Sequence, residues 1–388
     1  MGALYLHIPF CQQRCNYCNF FSSTLIELKQ QYIKALQKEI ELRCRYLPSA
    51  SLNSVYFGGG TPSLLTSDEI NQIFDTVCHF FTIPPHAEIT LEANPNSLTQ
   101  EYVKSLTSTA INRLSIGIQS FSNADLQVLG RIHSDKQAHL SIQYALQYGY
   151  SNLSVDLMYA YPLLTLEQWK KNLEYTKGIP HLSCYALTLE PSSALSRQIQ
   201  KNIYTLPSED ETMAQYQMLI DYARSQNMEH YETSNFCLPG HYSVHNTAYW
   251  QNQPYLGIGC GAHSFNGHSR QWNIGNIPLY IQHMQNTRTP EQFLSLENLI
   301  FEKENLSVTT RVNEYIMTSL RTMWGCDLDY IAQQFSPLYA EQLLKKTAHL
   351  PASQYILQSS VLHLTEQGAL FADAIACELF FDENGNLK

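Results

Sequence analysis

No run of apolar residues in this 388-residue chain approaches the ~18 that a membrane-spanning helix requires. The start of the chain also lacks the basic, apolar and small-residue succession of a secretory leader; it enters a strand-like segment directly. A transmembrane segment is therefore not expected, peripheral membrane association stays open, and the cytoplasm is the default compartment. Basic residues are scarce: 24 Lys and Arg against 34 Asp and Glu give a net charge of −10. A phosphate backbone is bound by clustered cations, so nucleic acid is not an expected partner. Internal repeats and low-complexity segments are absent too. So is the pattern of a disulfide framework, because seven of the ten cysteines (Cys44, Cys78, Cys184, Cys237, Cys260, Cys326, Cys377) stand singly, as free buried thiols do. What remains is an ordinary globular mixture, 44% hydrophobic and 15% charged, long enough for one large domain and a smaller one.

The first half of the chain alternates in pattern. Short β-prone runs at 4–8, 54–57, 88–92, 113–118, 152–157 and 182–187 are separated by segments of helical periodicity. Leu28, Tyr32, Leu36 and Ile40 make one such stripe, and Ile70, Ile73, Phe74 and Val77 another. Thr66 or Ser67 ahead of Asp68 and Glu69, and Ser122 and Asn123 ahead of Asp125, read as helix starts. Strand–helix alternation over this length predicts an α/β fold, a partial parallel βα barrel of about six units. That barrel domain is expected over 1–225. From 226 to 275 Gly, Pro, His and aromatics dominate and helical periodicity fades, so 226–290 reads as strands and loops closing the barrel mouth. The remainder, 291–388, reads as a small, mainly helical accessory domain ending in a hairpin and a helix, with a fraying tail.

Only three cysteines are grouped: Cys11, Cys15 and Cys18, in "CQQRCNYC". C-x3-C-x2-C is too cramped for separate structural elements and suits one loop wrapped around a compact centre, with Tyr17 packed inside. The loop follows the first strand, and barrel active sites form at the carboxyl ends of strands. A closed metal centre takes four protein ligands. One reading is zinc, with His7 or a distant residue as the fourth. The other is a cubane iron–sulfur cluster with three thiolates and one iron left open for a small molecule. "VYFGGGTPS", after the second strand, removes side chains at Gly58, Gly59 and Gly60. Such a stretch serves either a simple turn or the close approach of a ligand to backbone.

The cysteine loop resembles that of the radical S-adenosylmethionine (SAM) proteins. "NRLSIGIQSFSNADLQVLGRIHS", "YETSNF", "HNTAYW" and "YLGIGCGAHS" resemble, more narrowly, the group that joins oxygen-independent coproporphyrinogen III oxidases to their haem-chaperone relatives. The resemblance spans nearly the whole chain. It implies a 4Fe-4S cluster on Cys11, Cys15 and Cys18, with SAM as the ligand of the fourth iron. It further implies SAM contacts from Tyr5, Tyr17, Gly59, Gly60, Thr61, Glu92, Gln119, Arg131 and Asp156. Carboxylates at strand ends suit ribose hydroxyls, and a guanidinium suits a carboxylate.

Within the group, the oxidases carry a further cysteine two residues after the third; here Phe20 holds that place. They also carry an extension before the cluster strand, whereas four residues precede Tyr5 here. Both departures favour the chaperone side. "HNTAYW" resembles the segment associated there with haem, which implies His245, Tyr249 and Trp250 as haem contacts; a hydrogen-bonded loop histidine among packed aromatics is the alternative. The implied function is a haem chaperone that binds cluster, SAM and haem and delivers haem to an acceptor protein of unknown identity. The alternative function is the oxidase itself. Three positions depart from the pattern: Ala160 and Leu164 stand where Gly and Gln are usual, and Cys260 where Pro is common.

Overall fold

Six strands in sequence order form the centre of the fold, and all run parallel. They are β1 (Gly2–Ile8), β2 (Leu52–Gly59), β3 (Glu88–Ala93), β4 (Arg113–Gln119), β5 (Leu153–Tyr159) and β6 (His181–Ala186). The computed structural model describes residues 1–382. Each strand falls where a β-prone run predicts one. β1 is buried along nearly its whole length, as a parallel strand covered on both faces must be. Helices between the strands bury the predicted stripes: Lys29–Arg43 hides Tyr32, Leu36 and Ile40, and Ser67–Phe80 hides Ile70, Ile73 and Val77. Thr66, not Ser67, is the cap. Its Oγ1 accepts the Glu69 amide at 3.2 Å while its own amide donates to Glu69 Oε2 at 2.8 Å, a reciprocal capping box.

The later segments lengthen the same sheet at both ends. β7 (Glu229–Glu232) and β8 (Asn235–Cys237) add antiparallel strands beside β6. At the other edge β9 (Tyr255–Ile258) pairs parallel with β1. It is followed outward by the antiparallel strands β10 (His263–Phe265), β11 (Ser269–Asn273) and β12 (Phe301–Asn305). The sheet therefore has twelve strands in the order β12-β11-β10-β9-β1-β2-β3-β4-β5-β6-β8-β7. Helical structure persists where periodicity faded: Val244–Trp250 is a helix capped by Ser243. At two turns it is too short to show a repeating stripe.

A second hydrophobic core runs from Val312 to Phe381, separate from the barrel core. It contains the helix Val308–Leu320 and a small sheet of β13 (Cys326–Asp327), β14 (Tyr355–Gln358) and β15 (Val361–Leu364), in the order β13-β15-β14. The two units meet where Met323 donates its amide to the Tyr231 carbonyl (3.0 Å) and Glu232 bridges Thr322.

Candidate functional site

The cysteine loop leaves the carboxyl end of β1 and is pinned at both its ends. Ser23 donates to the Pro9 carbonyl (2.7 Å), Cys11 to Ser23 (2.9 Å), and Asn16 in mid-loop to Leu129 (3.0 Å). His7 holds the loop's exit from below, with Nε2 2.9 Å from the Phe21 carbonyl and Nδ1 3.1 Å from the Tyr5 hydroxyl. Burial lowers the His7 imidazole to about 4, so it stands neutral. Both its nitrogens are engaged by protein. It is a strut for the loop.

Two of the three thiols already receive hydrogen bonds. The Thr61 hydroxyl donates to Cys11 Sγ at 3.4 Å, and the Arg131 guanidinium to Cys15 Sγ at 3.4 Å. Burial raises the Cys11 and Cys18 thiols, and both feel Cys15 nearby. Among the described residues no group of three or more His, Cys, Asp or Glu side chains surrounds a point where a single ion would sit.

The glycine segment closes against this loop. Gly60 donates to the Ile8 carbonyl and Thr61 to Phe10, each at 2.8 Å. A Cβ on Gly60 would lie 2.8 Å from the Pro9 carbonyl carbon and the Phe10 oxygen, backbone atoms that cannot yield. Gly59 sits at φ +112°, and a Cβ there would meet the His7 ring at 2.7 Å. The glycines thus serve the protein's own close packing, a role that spacing alone does not reveal.

Glu92 accepts the Tyr56 hydroxyl at 2.8 Å and the Gly59 amide at 3.1 Å. Burial pushes its carboxyl up to about 7, with Tyr56 partly opposing and Asp156 adding repulsion. Asp156 accepts Ser115 Oγ at 3.1 Å and is also raised by burial. Gln119 ends β4 after a register shift, in the left-handed region at φ 66°. Arg131 spans the site, donating through its second amino group to Asn94 Oδ1 and to the Gly117 carbonyl, each at 2.6 Å. Tyr17 is packed beside Arg131, Cys15 and Cys18. The nine residues assigned to SAM thus gather around the carboxyl ends and interior of β1 to β5. Asn94 lies among them: it joins Arg131 to Thr61, donating to Thr61 Oγ1 at 3.0 Å. Its Asn-Pro dipeptide directly after a strand was the available signal.

A second space lies between the barrel and the second core, a cavity of about 610 Å³. Tyr185, Tyr249, Trp250, Tyr255, Phe265 and Met317 line it, with Glu232, Arg270, Arg321 and Asp373 as its charged groups. Arg270 makes a bidentate pair with Glu314, both contacts 2.9 Å, and Arg321 Nε donates to Asp373 at 2.7 Å. Tyr249 and Trp250 reach this cavity. His245 does not line it. It is 1% exposed, with Nδ1 2.8 Å from Ser54 Oγ and Nε2 2.8 Å from the Tyr249 hydroxyl. Its helix is fixed by Glu88, which accepts the Val244 and His245 amides at 2.9 and 3.0 Å. Arg270, Arg321, Met317 and Tyr185 come from distant segments and carried no local signal.

Rings connect the two spaces. Tyr5 stacks on Tyr56 (centroids 6.1 Å apart), Tyr56 on His245 (4.8 Å), and His245 meets Tyr249 edge-on (4.9 Å). The cysteine-loop site and the cavity share a wall of aromatic side chains.

Residues 5–176 match the model of the Radical SAM superfamily. Over its full length the chain resembles proteins named haem chaperone HemW. It is 31% identical to that of Lactococcus lactis over 95% of this chain and 94% of the relative. To that of Escherichia coli K12 it is 30% identical over 98% of each. Among solved structures, coproporphyrinogen III oxidase (HemN) from Escherichia coli superposes with a TM-score of 0.82, covering 97% of this chain and 89% of that one at 22% identity. At that identity the likeness establishes the fold: a radical SAM partial barrel with a C-terminal domain. Among the described residues no helix is long and apolar enough to cross a membrane. At 30–31% identity over nearly the whole of these relatives, the chain belongs to the HemW family of the radical SAM superfamily.

Proposed function

We propose that this chain is a haem chaperone: it holds a 4Fe-4S cluster on Cys11, Cys15 and Cys18 with SAM beside it, carries haem in the cavity between its two cores, and passes haem to an acceptor protein. The family's relatives bear the name haem chaperone, and the observation that carries the reading here is the cavity itself. Its volume of about 610 Å³ falls within the ~300–1,000 Å³ of small-molecule sites. Trp250, Tyr255 and Phe265 supply flat apolar faces for a porphyrin ring. Arg270 and Arg321 supply cations for its two propionates, exchanging Glu314 and Asp373 for the ligand's own carboxylates.

The cluster reading is supported by the donors trained on sulfur. Thr61 and Arg131 already hydrogen-bond Cys11 and Cys15, as second-shell groups do for metal-bound thiolates. The three thiols lie close enough to influence one another electrostatically, as ligands of one compact centre do. A bound cluster would supply an open iron for the cofactor's amino and carboxylate groups. Around it, Tyr5, Tyr17, Gly59, Gly60, Thr61 and Gln119 would line the cofactor, Glu92 and Asp156 would accept its hydroxyl protons, and Arg131 would hold its carboxylate. Residues 226–290 would then supply much of the barrel-side wall of the cavity, and the second core, from the Val308–Leu320 helix to residue 382, its cover. Phe20, 66% exposed at the loop's far side, leaves the position of the oxidases' further cysteine without a thiol.

Titration of the full chain with iron(III) protoporphyrin IX tests the proposal. Saturation at about one haem per chain is expected, with loss of binding in Thr318→Phe, which fills the cavity from the Val308–Leu320 helix. Haem uptake unaffected by that substitution, or brisk anaerobic conversion of coproporphyrinogen III by the reconstituted protein, would overturn it.

A further inference from the structure

The geometry points to Tyr249, not His245, as the side chain that ligates haem iron in this protein, with His245 acting as the positioning residue that holds the ligand oxygen. The inference rests on the proposal that haem occupies the cavity between the two cores, and it names the contact made there.

His245 is walled off. Both of its ring nitrogens are engaged, by Ser54 Oγ and by the Tyr249 hydroxyl, each at 2.8 Å. Its ring is stacked against Tyr56 at 4.8 Å, and its backbone amide is held by Glu88. For Nε2 to reach iron, the Tyr249 hydroxyl would have to leave and the ring to pass it. Tyr249 is already in place: it lines the cavity, four residues along the same helix, so that one helical turn sets its hydroxyl against His245. Phenolate is an established axial ligand of haem iron. A ring nitrogen that fixes a ligand atom from behind is the usual second-shell arrangement.

The lining carboxylates are committed elsewhere and the thioether is chemically less suited; Tyr185 and Tyr255 are the lining's other phenols, and the contact to the helix-fixed His245 belongs to Tyr249. Glu232 accepts from Asn235 and from the Ser234 amide, and Asp373 is held by Arg321. Met317 offers a soft thioether, which suits iron(III) poorly. Tyr255 is approached by Arg270 at 3.4 Å, a longer contact than the one His245 makes to Tyr249.

The step balances simply. With haem bound, the Tyr249 phenol would give up its O–H proton to solvent as its oxygen became the ligand. Neutral His245 would keep its single proton on Nε2 as a hydrogen-bond donor to that oxygen, and the Ser54 hydroxyl would keep its proton as a hydrogen-bond donor to Nδ1. No electron is transferred.

The test uses the full chain loaded with iron(III) protoporphyrin IX. The unaltered protein should show a phenolate-to-iron charge-transfer band and resonance Raman modes of a coordinated tyrosine ring, a readout that needs no variant. Tyr249→Phe should lose both. His245→Gln, whose amide can still donate to the phenolate, should keep both, while His245→Ala should keep the phenolate signature with haem affinity lowered ~10–100-fold. Saturable binding without phenolate signals, or with signals that survive Tyr249→Phe or vanish in Tyr255→Phe, would overturn the ligand assignment and leave the cavity reading standing. Binding that Thr318→Phe does not affect would remove both.

Discussion

Glu92 makes the pH dependence of folding measurable at one residue. Its carboxyl is enclosed by Tyr56, Gly59 and Asp156 inside the barrel, and burial raises it from its ordinary 4.5 to about 7. A carboxyl raised on folding binds its proton more tightly in the native state. Its contribution is therefore complete below about pH 4.5 and is lost as pH rises through about 7. At about 1.4 kcal/mol per tenfold change in proton affinity, that interval caps the loss at about 3 kcal/mol. Glu92 is only partly hidden from solvent, which screens the effect and brings the expectation to about 1–2 kcal/mol. Glu92→Gln cannot ionise, so its stability relative to the unaltered protein should improve by that amount between about pH 5 and about pH 8. A nearly constant penalty of about 1 kcal/mol for the altered bonds to Tyr56 and Gly59 would be superimposed. Urea unfolding of both proteins across this range reads the difference directly, because Glu232 and the buried histidines contribute to both and cancel. Curves that stay parallel within about 0.5 kcal/mol would show that Glu92 ionises as freely in the fold as outside it.

Two further substitutions probe the cysteine-loop site. Gly60→Ala places a methyl group 2.8 Å from the backbone of Pro9 and Phe10; it should cost about 1–3 kcal/mol and reduce iron retained after reconstitution, and normal iron content with an unchanged melting curve would contradict the close contact. In Arg131→Lys one ammonium cannot serve Cys15, Asn94 and the Gly117 carbonyl together. SAM affinity measured by calorimetry on the reconstituted protein should fall about tenfold or more, about 1.4 kcal/mol, with iron content retained; equal affinity would reduce Arg131 to a purely structural tie.

Much of this protein was legible in its sequence, because the relevant forces act over a few residues. Short β-prone apolar runs placed all six parallel strands, and Thr66 with Glu69 marked a helix start through bonds that close within one turn. The C-x3-C-x2-C loop announced a compact centre because its spacing leaves the chain little else to do there. Locality also marked the limit. "HNTAYW" showed a histidine beside aromatics but not which of them faces outward. That depends on Ser54 and Glu88, nearly 200 and more than 150 residues away in the chain, which fix the helix and turn its histidine inward.

Tertiary structure decided the rest. β9 returns to pair parallel with β1, so a stretch that reads as part of the strands and loops at the barrel mouth becomes an interior strand of the main sheet. Asn94 acquires its place only when β3 brings it between Thr61 and Arg131. The cavity exists only because a second core, beginning at Val312, packs beside the barrel and sets Met317 and Arg321 opposite Tyr249 and Trp250. Local pattern determines which segments become strands and helices, since those choices are settled by backbone geometry and neighbouring side chains. A cavity is a property of surfaces far apart in sequence, and its shape and ligands are set only when those surfaces meet.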